Sequence, residues 1–486
     1  MAEAFNNHHH HLPKHLLVFS LLLLLLSLLP LSLSRSLPSQ TTTLSVSESL
    51  LKTQTPLNPQ PIATTTPSSP LSLLLHSRDS LHQTPHPDYA SLTLSRLTRD
   101  SARVRSLQSR LSLSLHPSNL KPLLDQDLTQ SDLEGPIVSG TSQGSGEYFS
   151  RLGIGRPPKP LFVVLDTGSD VTWVQCSPCT DCYQQSDPLF DPSSSSSYSP
   201  LPCDSSQCHS LDVSACRNGS CLYQVSYGDG SYTVGDFATE SLTLGPSSAD
   251  HIAVGCGHDN EGLFVGAAGL LGLGAGPLSF PSQLKVDAFS YCLVDRDSSA
   301  SSTLDFGASA AADAAAVSAP LMRNPKMETF YYVGMTGMSV GGELLSIPAS
   351  LFAVDEAGEG GVIVDSGTAV TRLQTEAYGA LRDAFKRGTK GLPEAEGVAL
   401  FDTCYDLSGR ESVEVPTVAF HFPGGKSLPL PAKNYLIPVN SDGTFCFAFA
   451  PTGTGGLSII GNVQQQGTRV SFDRANSLVS FSPNKC

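Results

Sequence analysis

From Gly146 to Cys486 the chain alternates short apolar runs with clusters of Gly, Asp, Ser and Pro. Runs such as Phe162-Val-Val-Leu165 and Val362-Ile-Val364, β-branched and bounded by turn formers, predict many short strands joined by tight turns, so this part is expected to be mostly β. Helical spacing breaks that pattern in two places. Leucines recur at helical intervals from Tyr89 to Leu115, and Glu376 to Lys390 has the same character. Ala308 to Pro320, rich in Ala and Ser, reads as a surface loop.

The front of the chain has another texture. Leu16 to Leu33 is a nearly unbroken apolar run behind a short segment carrying His8 to His11, Lys14 and His15. That order is expected for a cleavable signal peptide, and Pro30 with the small residues Ser32, Ser34 and Ser36 suits cleavage. The run is also long enough to serve as a membrane anchor, which is the alternative. Residues 40 to 75 are Ser/Thr/Pro/Leu low complexity, and the helical stretch after them carries Arg96, Arg99, Arg103, Arg105 and Arg110. The resulting division is residues 1–36 as signal peptide, 37–140 as a leading segment, and two similar halves at 141–320 and 326–486.

Charge and cysteine usage sharpen this picture. The whole chain has a formal net charge of −15, and from Gly146 onward 19 Lys plus Arg face 35 Asp plus Glu. So acidic a body is a poor partner for nucleic acid. A basic helix ahead of it suggests an intramolecular clamp, held by charge and released when acid neutralises carboxylates. All 12 cysteines lie at or beyond Cys176, an even number confined to the part expected to fold, as in an oxidising compartment. Cys176-Ser-Pro-Cys179-Thr-Asp-Cys182 with His209 or His258 could also be read as a metal site, but secretory oxidation and the even total favour disulfides, so no metal is expected.

The decisive signal is an internal repeat. Phe162-Val-Val-Leu-Asp166-Thr-Gly-Ser169 recurs as Val362-Ile-Val-Asp365-Ser-Gly-Thr368, and about 100 residues after each Asp comes an apolar-apolar-Gly triplet, Leu270-Leu271-Gly272 and Ile459-Ile460-Gly461. One Asp-Thr-Gly is an ordinary turn. Two copies behind similar strands point to a site built from two halves. Paired carboxyls can hydrolyse an amide without a covalent intermediate, because one takes a proton from water while the other donates one to the carbonyl oxygen. Held close together, they cannot both ionise easily, so the pair keeps one proton. Gly168 and Gly367 permit the sharp turn, and the hydroxyls of Thr167, Ser169, Ser366 and Thr368 suit the task of holding the carboxylates.

These motifs resemble the pepsin-like aspartic proteases from Gly146 to Cys486. The resemblance implies an all-β, bilobal fold with a cleft between two similar lobes and with Asp166 and Asp365 as its catalytic pair. It also implies that Ser169 and Thr368 bond to the outer carboxylate oxygens while Thr167 and Ser366 brace the two turns. Val225-Ser-Tyr227-Gly228-Asp229-Gly-Ser231 fits the family's flap, making Tyr227 the flap tyrosine and the sole tryptophan, Trp173, its expected partner. Asp170 departs from the family's usual Asp-Thr-Gly-Ser-Ser.

Within the family the cysteine-rich insertion resembles the plant nepenthesin-type branch. His258-Asp-Asn-Glu-Gly-Leu-Phe264, Phe289-Ser-Tyr-Cys-Leu-Val-Asp-Arg296 and Gly461-Asn-Val-Gln-Gln-Gln-Gly467 are similar to the guard-cell aspartic protease group. That branch implies disulfides Cys176–Cys179, Cys182–Cys256, Cys203–Cys221, Cys208–Cys216, Cys292–Cys486 and Cys404–Cys446; spacing alone leaves connectivity open. Asn218-Gly-Ser220 is an acceptor sequon, so Asn218 is a candidate glycosylation site. The expected protein is an aspartic endopeptidase of the secretory pathway (apoplast, endoplasmic reticulum or vacuole), made as a zymogen and most active in acid. It needs no cofactor, takes protein or peptide substrates, has its own prosegment as inhibitor, and leaves the membrane as a monomer after signal cleavage. The rival is a non-catalytic binding protein of the same fold, such as the plant xylanase inhibitors, which lack an intact pair of motifs.

Overall fold

A computed structural model describes residues 40–57, 67, 69–81, 86–115, 148–227, 231–262, 266–298 and 300–486. The expected signal peptide and the flap residues Gly228 and Asp229 lie outside the described residues.

The repeat seen in the sequence is a repeat in space. The strand Lys159–Asp166 is buried along its last four residues and runs parallel to Gly269–Gly272, with Leu271 opposite Leu165 and Gly272 opposite Asp166. In the second half Val362–Val364 runs parallel to Ser458–Ile460, with Val364 opposite Ile460. Parallel strands covered on both faces favour continuous apolar runs, which is what both copies supply. The glycine ending each triplet is required by close approach. A Cβ on Gly272 would overlap the Asp170 carbonyl oxygen, and one on Gly461 would lie 2.6 Å from that of Ala369.

Strands from both halves share one sheet. Ala288–Cys292 pairs antiparallel with Ser302–Phe306 on one side and with Thr468–Asp473 on the other, and Thr468–Asp473 pairs with Leu478–Pro483. Phe289 stacks on Phe472 at 4.7 Å between ring centres, so aromatic packing joins the halves as well as hydrogen bonds. Val317–Met322, which overlaps the end of the stretch expected to be a loop, is a strand against Leu478–Pro483. Its pairing partner lies more than a hundred residues away, which local composition does not reveal.

The leading segment is also more ordered than its composition suggests. Thr41–Ser45 pairs with Ser412–Pro416, and Ser72–Ser77 inserts between Ser302–Asp305 and Tyr148–Ser150. Leu44, Leu73 and Leu75 are buried there. Low complexity therefore conceals two strands whose order comes from the edges they cover. The helix Tyr89–Leu115 spans 27 residues, and the second expected helix runs Thr375–Gly388. Among the described residues no helix is long and apolar enough to cross a membrane.

All 12 cysteines form disulfides. Cys292–Cys486 and Cys404–Cys446 join the residues expected. The other four pairs correct the expectation: Cys176–Cys256, Cys179–Cys182, Cys203–Cys216 and Cys208–Cys221 replace Cys176–Cys179, Cys182–Cys256, Cys203–Cys221 and Cys208–Cys216. Strand register explains the change. Trp173–Gln175 runs parallel to Gly255–Gly257, bringing Cys176 and Cys256 to a Cα separation of 5.3 Å, while Cys179 and Cys182 face each other across the next turn. Cys208, on the short helix Ser206–His209, packs with Leu201, Leu211 and Tyr223 around buried Cys221. That leaves exposed Cys216 to Cys203, which the Cys203 N–H to Gly219 carbonyl bond holds beside the same hairpin.

Candidate active site

Asp166 and Asp365 end equivalent strands, are each 1 % exposed, and come together at the junction of the halves. Ser169 Oγ donates to Asp166 Oδ2 at 2.7 Å, and Thr368 Oγ1 donates to Asp365 Oδ2 at 2.7 Å. The Gly168 N–H donates to Asp166 Oδ1 at 2.9 Å. The two turns are braced unequally. The Ser366 N–H donates to Thr167 Oγ1 at 2.9 Å, while that hydroxyl donates on to Asp365 Oδ1 at 3.0 Å. Behind the second turn, Asn462 Nδ2 donates to the Ser366 carbonyl and Gln465 Nε2 to that of Asp365. Sequence reading used this Asn/Gln-rich stretch only as a mark of resemblance and missed its bracing contacts.

The helix Tyr89–Leu115 fills the space in front of the pair. Arg103 Nη2 bonds to the Oδ1 atoms of both aspartates, at 2.9 Å from Asp365, while Nη1 donates to Asp166 Oδ2 and Nε to Asp365 Oδ2, each at 3.1 Å. One planar guanidinium thus satisfies both carboxylates, a geometry that an ammonium could not reproduce. Glycine makes this approach possible, since a Cβ on Gly168 would overlap Arg103 Nη2 and one on Gly367 would lie 3.0 Å from Nε. Burial pushes the Asp166 carboxyl up, but the charge and hydrogen bonds of Arg103, with those of Ser169 and Gly168, more than offset it and hold the group below the usual carboxylate range.

The five arginines that sequence reading grouped together separate here. Arg103 meets the pair, and Arg96 pairs with Asp79 of its own segment and with Asp297 of the body, which also accepts from Tyr89 Oη at 2.6 Å. Arg110 donates to the Gly168 carbonyl, Arg99 lies near Asp79, and Arg105 faces solvent. Nothing in the spacing distinguishes Arg103 from its neighbours. Apolar contacts support the helix: Leu107 and Leu111 pack with Phe330, Tyr332, Ile363 and Ile459, and Leu97 packs with Ala369, Val370 and Val463.

On the other wall Tyr227 directly follows the hairpin strand Ser220–Ser226, and its N–H donates to the Ser231 carbonyl at 2.7 Å. Trp173 Nε1 donates to Tyr227 Oη at 2.9 Å, both side chains being buried. Asp170 turns away from the pair. Its carboxylate accepts from Thr329 Oγ1 at 2.7 Å and from the Gly276 N–H at 2.9 Å, linking the first turn to the second half, and burial raises its pKa. Among the described residues no cluster of His, Cys, Asp and Glu is suited to hold a metal ion.

Comparison with known proteins accords with this geometry. Residues 148–308 match the family described as xylanase inhibitor N-terminal, and residues 330–483 match xylanase inhibitor C-terminal. The chain is 53 % identical to aspartyl protease family protein 2 of Arabidopsis thaliana, covering 86 % of each. It is 50 % identical to protein aspartic protease in guard cell 2 of the same plant, over 86 % of this chain and 88 % of that one. Aspartic proteinase nepenthesin-1 of Nepenthes gracilis is 43 % identical over 73 % of this chain and 82 % of its own. The crystal structure of soybean basic 7S globulin, 21 % identical, superposes with a TM-score of 0.55 over 70 % of this chain and 93 % of that one, a likeness of fold. With both aspartate turns intact at the meeting of two β lobes, the chain belongs to the pepsin-like aspartic proteases of plants.

Proposed function

We propose that this aspartic endopeptidase is made as a precursor whose own helix, Tyr89–Leu115, closes the cleft, with Asp166 and Asp365 as the catalytic pair. The observation that carries the reading is the Arg103 guanidinium bonded to both carboxylates. It stands where a water shared by the pair would stand. With the helix gone, one ionised carboxylate takes a proton from that water as it attacks the peptide carbonyl, while the protonated partner donates to the carbonyl oxygen. The pair shares one proton because two adjacent like charges resist full ionisation; aspartic proteases are a standard example. Ser169 and Thr368 fix the outer oxygens, and Tyr227, held by Trp173, closes over an extended substrate.

Acid releases the helix through linkage. Arg103 favours an ionised Asp166, whereas the open pair shares a proton, so opening takes up protons. Closure is therefore favoured as pH rises and is lost as pH falls through the depressed Asp166 value. Residues 1–36 act as a signal peptide, 37–140 as prosegment, and 141–320 and 326–486 as the two lobes. The destination is the apoplast, endoplasmic reticulum or vacuole, consistent with six disulfides, and the enzyme works as a monomer. Asn218, exposed at a hairpin turn with φ 52°, is open to glycosylation.

Purified precursor, incubated with an unfolded protein from about pH 3 to 7.5, is expected to cleave it in acid and to be blocked by pepstatin. Asp166→Asn and Asp365→Asn are each expected to lower kcat by at least about a hundredfold. Activity retained by either variant would rule out the pair; a folded wild type inactive after prosegment removal would favour the binding-protein reading.

A further inference from the structure

The helix presents a second charged side chain to the cleft, one turn before Arg103. Asp100 is 3 % exposed, and its Oδ1 accepts from the Ala369 N–H at 2.6 Å and the Val370 N–H at 3.2 Å. Its Oδ2 forms an ion pair with Arg372. Ala369 and Val370 directly follow the Asp365-Ser-Gly-Thr368 turn, and Arg372 lies on the strand Thr371–Leu373, opposite Ile459. The surroundings are apolar, with Leu97, Ala369, Val370, Ile437 and Val463 packed together, so the field between guanidinium and carboxylate is little screened.

Once the helix leaves, this wall lacks its anion. Arg372 is 6 % exposed, its Nε is buried with no hydrogen-bond partner among the described residues, and Asp100 is its only ion-pair partner among them. Two backbone N–H groups face the same place. A guanidinium with two convergent amides, left unpaired in an apolar cleft, is poised to accept another carboxylate. The spacing matches a substrate. Three helical residues cover roughly 4.5 Å along the axis, about the advance of one to two residues of an extended peptide.

The geometry points to a subsite, made of Arg372 with the Ala369 and Val370 N–H groups, that selects substrates with an Asp or Glu side chain a residue or two from the scissile bond. The inference rests on the endopeptidase reading and adds its substrate class. In the precursor, Asp100 occupies this subsite as Arg103 occupies the catalytic pair, so the helix copies the acidic side chain of a preferred substrate.

The test uses acid-activated full-length protein at about pH 5, where a free Glu, with pKa about 4.3, is mostly ionised. Internally quenched peptides with blocked C-termini carry a single Glu walked through three positions on each side of the cleaved bond, matched against Gln. Blocking the terminus ensures that any gain belongs to a side-chain carboxylate. One position is expected to favour Glu by about tenfold or more in kcat/KM, as for a hydrogen-bonded charge, chiefly through KM. Arg372→Gln is expected to bring that ratio close to one and Arg372→Lys to restore part of it. Cleavage with no Glu preference at any position in the wild type overturns the subsite and leaves the protease reading standing, even if the Arg372 variants fail to fold. A preference undiminished in Arg372→Gln overturns the role of Arg372. Failure to cut any peptide removes the protease reading and the subsite with it.

Discussion

Arg103 and Asp170 illustrate two opposite fates of charge near one turn. Asp166 is drawn down by the guanidinium it faces, whereas Asp170 is raised by burial, which outweighs its hydrogen bonds from Thr329 and Gly276 and the charge of Arg110. The sign for Asp170 follows directly. A carboxyl whose folded pKa lies above its ordinary 3.8 stabilises the fold most while protonated, and that contribution is lost as pH rises through the folded value. Asp170→Asn, which cannot ionise, is therefore expected to gain in Tm relative to wild type as pH is raised from about 3 to 7. A Tm difference that stays flat or shrinks with rising pH would show that Asp170 is not held in this way. Sequence reading recognised Asp170 as a departure but gave it no direction, because its environment is set by Thr329 and Gly276, both remote in sequence.

The helix Tyr89–Leu115 and the two aspartate turns differ in how much the sequence reveals. Each turn is encoded locally, by a β-branched run, an Asp, a glycine and a hydroxyl, so the pair is legible in the sequence, while the contacts of Ser169 and Thr368 to the outer oxygens are what the family resemblance implies. The helix was legible as a helix from its leucine spacing, but which arginine enters the site depends on rotational phase and docking angle, and neither is written in its charge pattern. The same limit explains the cysteines: Cys176 and Cys256 are 80 residues apart and meet only because two strands run in parallel register. Docking is expected to depend on the apolar face as much as on charge. Leu107 is fully buried and Leu94 is 47 % exposed. Leu107→Ala should weaken closure by about 2–5 kcal/mol and shift activation of the precursor to higher pH, whereas Leu94→Ala should leave it unchanged. Equal activation profiles for the two variants would contradict the docking described.

At the scale of the whole molecule, the leading segment is built into the body by strands as well as by the helix. Ser72–Ser77 joins the sheet shared by both halves, with Leu75 fully buried. Leu75→Asp, which places a carboxylate in that core, is expected to lower the Tm of the precursor far more than Leu51→Asp, at a position 73 % exposed. In the proposed function, release of Arg103 from the cleft is thus separable from loss of the whole segment, since the strands are held by backbone pairing that does not titrate. Latency of the precursor, in the same proposed function, depends on Arg103 closing the Asp166 and Asp365 pair. The most direct measurement is the initial rate of peptide cleavage by intact precursor between about pH 4 and 7, for wild type and Arg103→Gln, with the chain checked for length at each point. Removing one member of a buried ion cluster costs about 3–5 kcal/mol, so the variant should be active without cleavage at a pH where wild type is latent. An intact Arg103→Gln precursor that stays latent over the same range and activates at the wild-type pH would contradict the account.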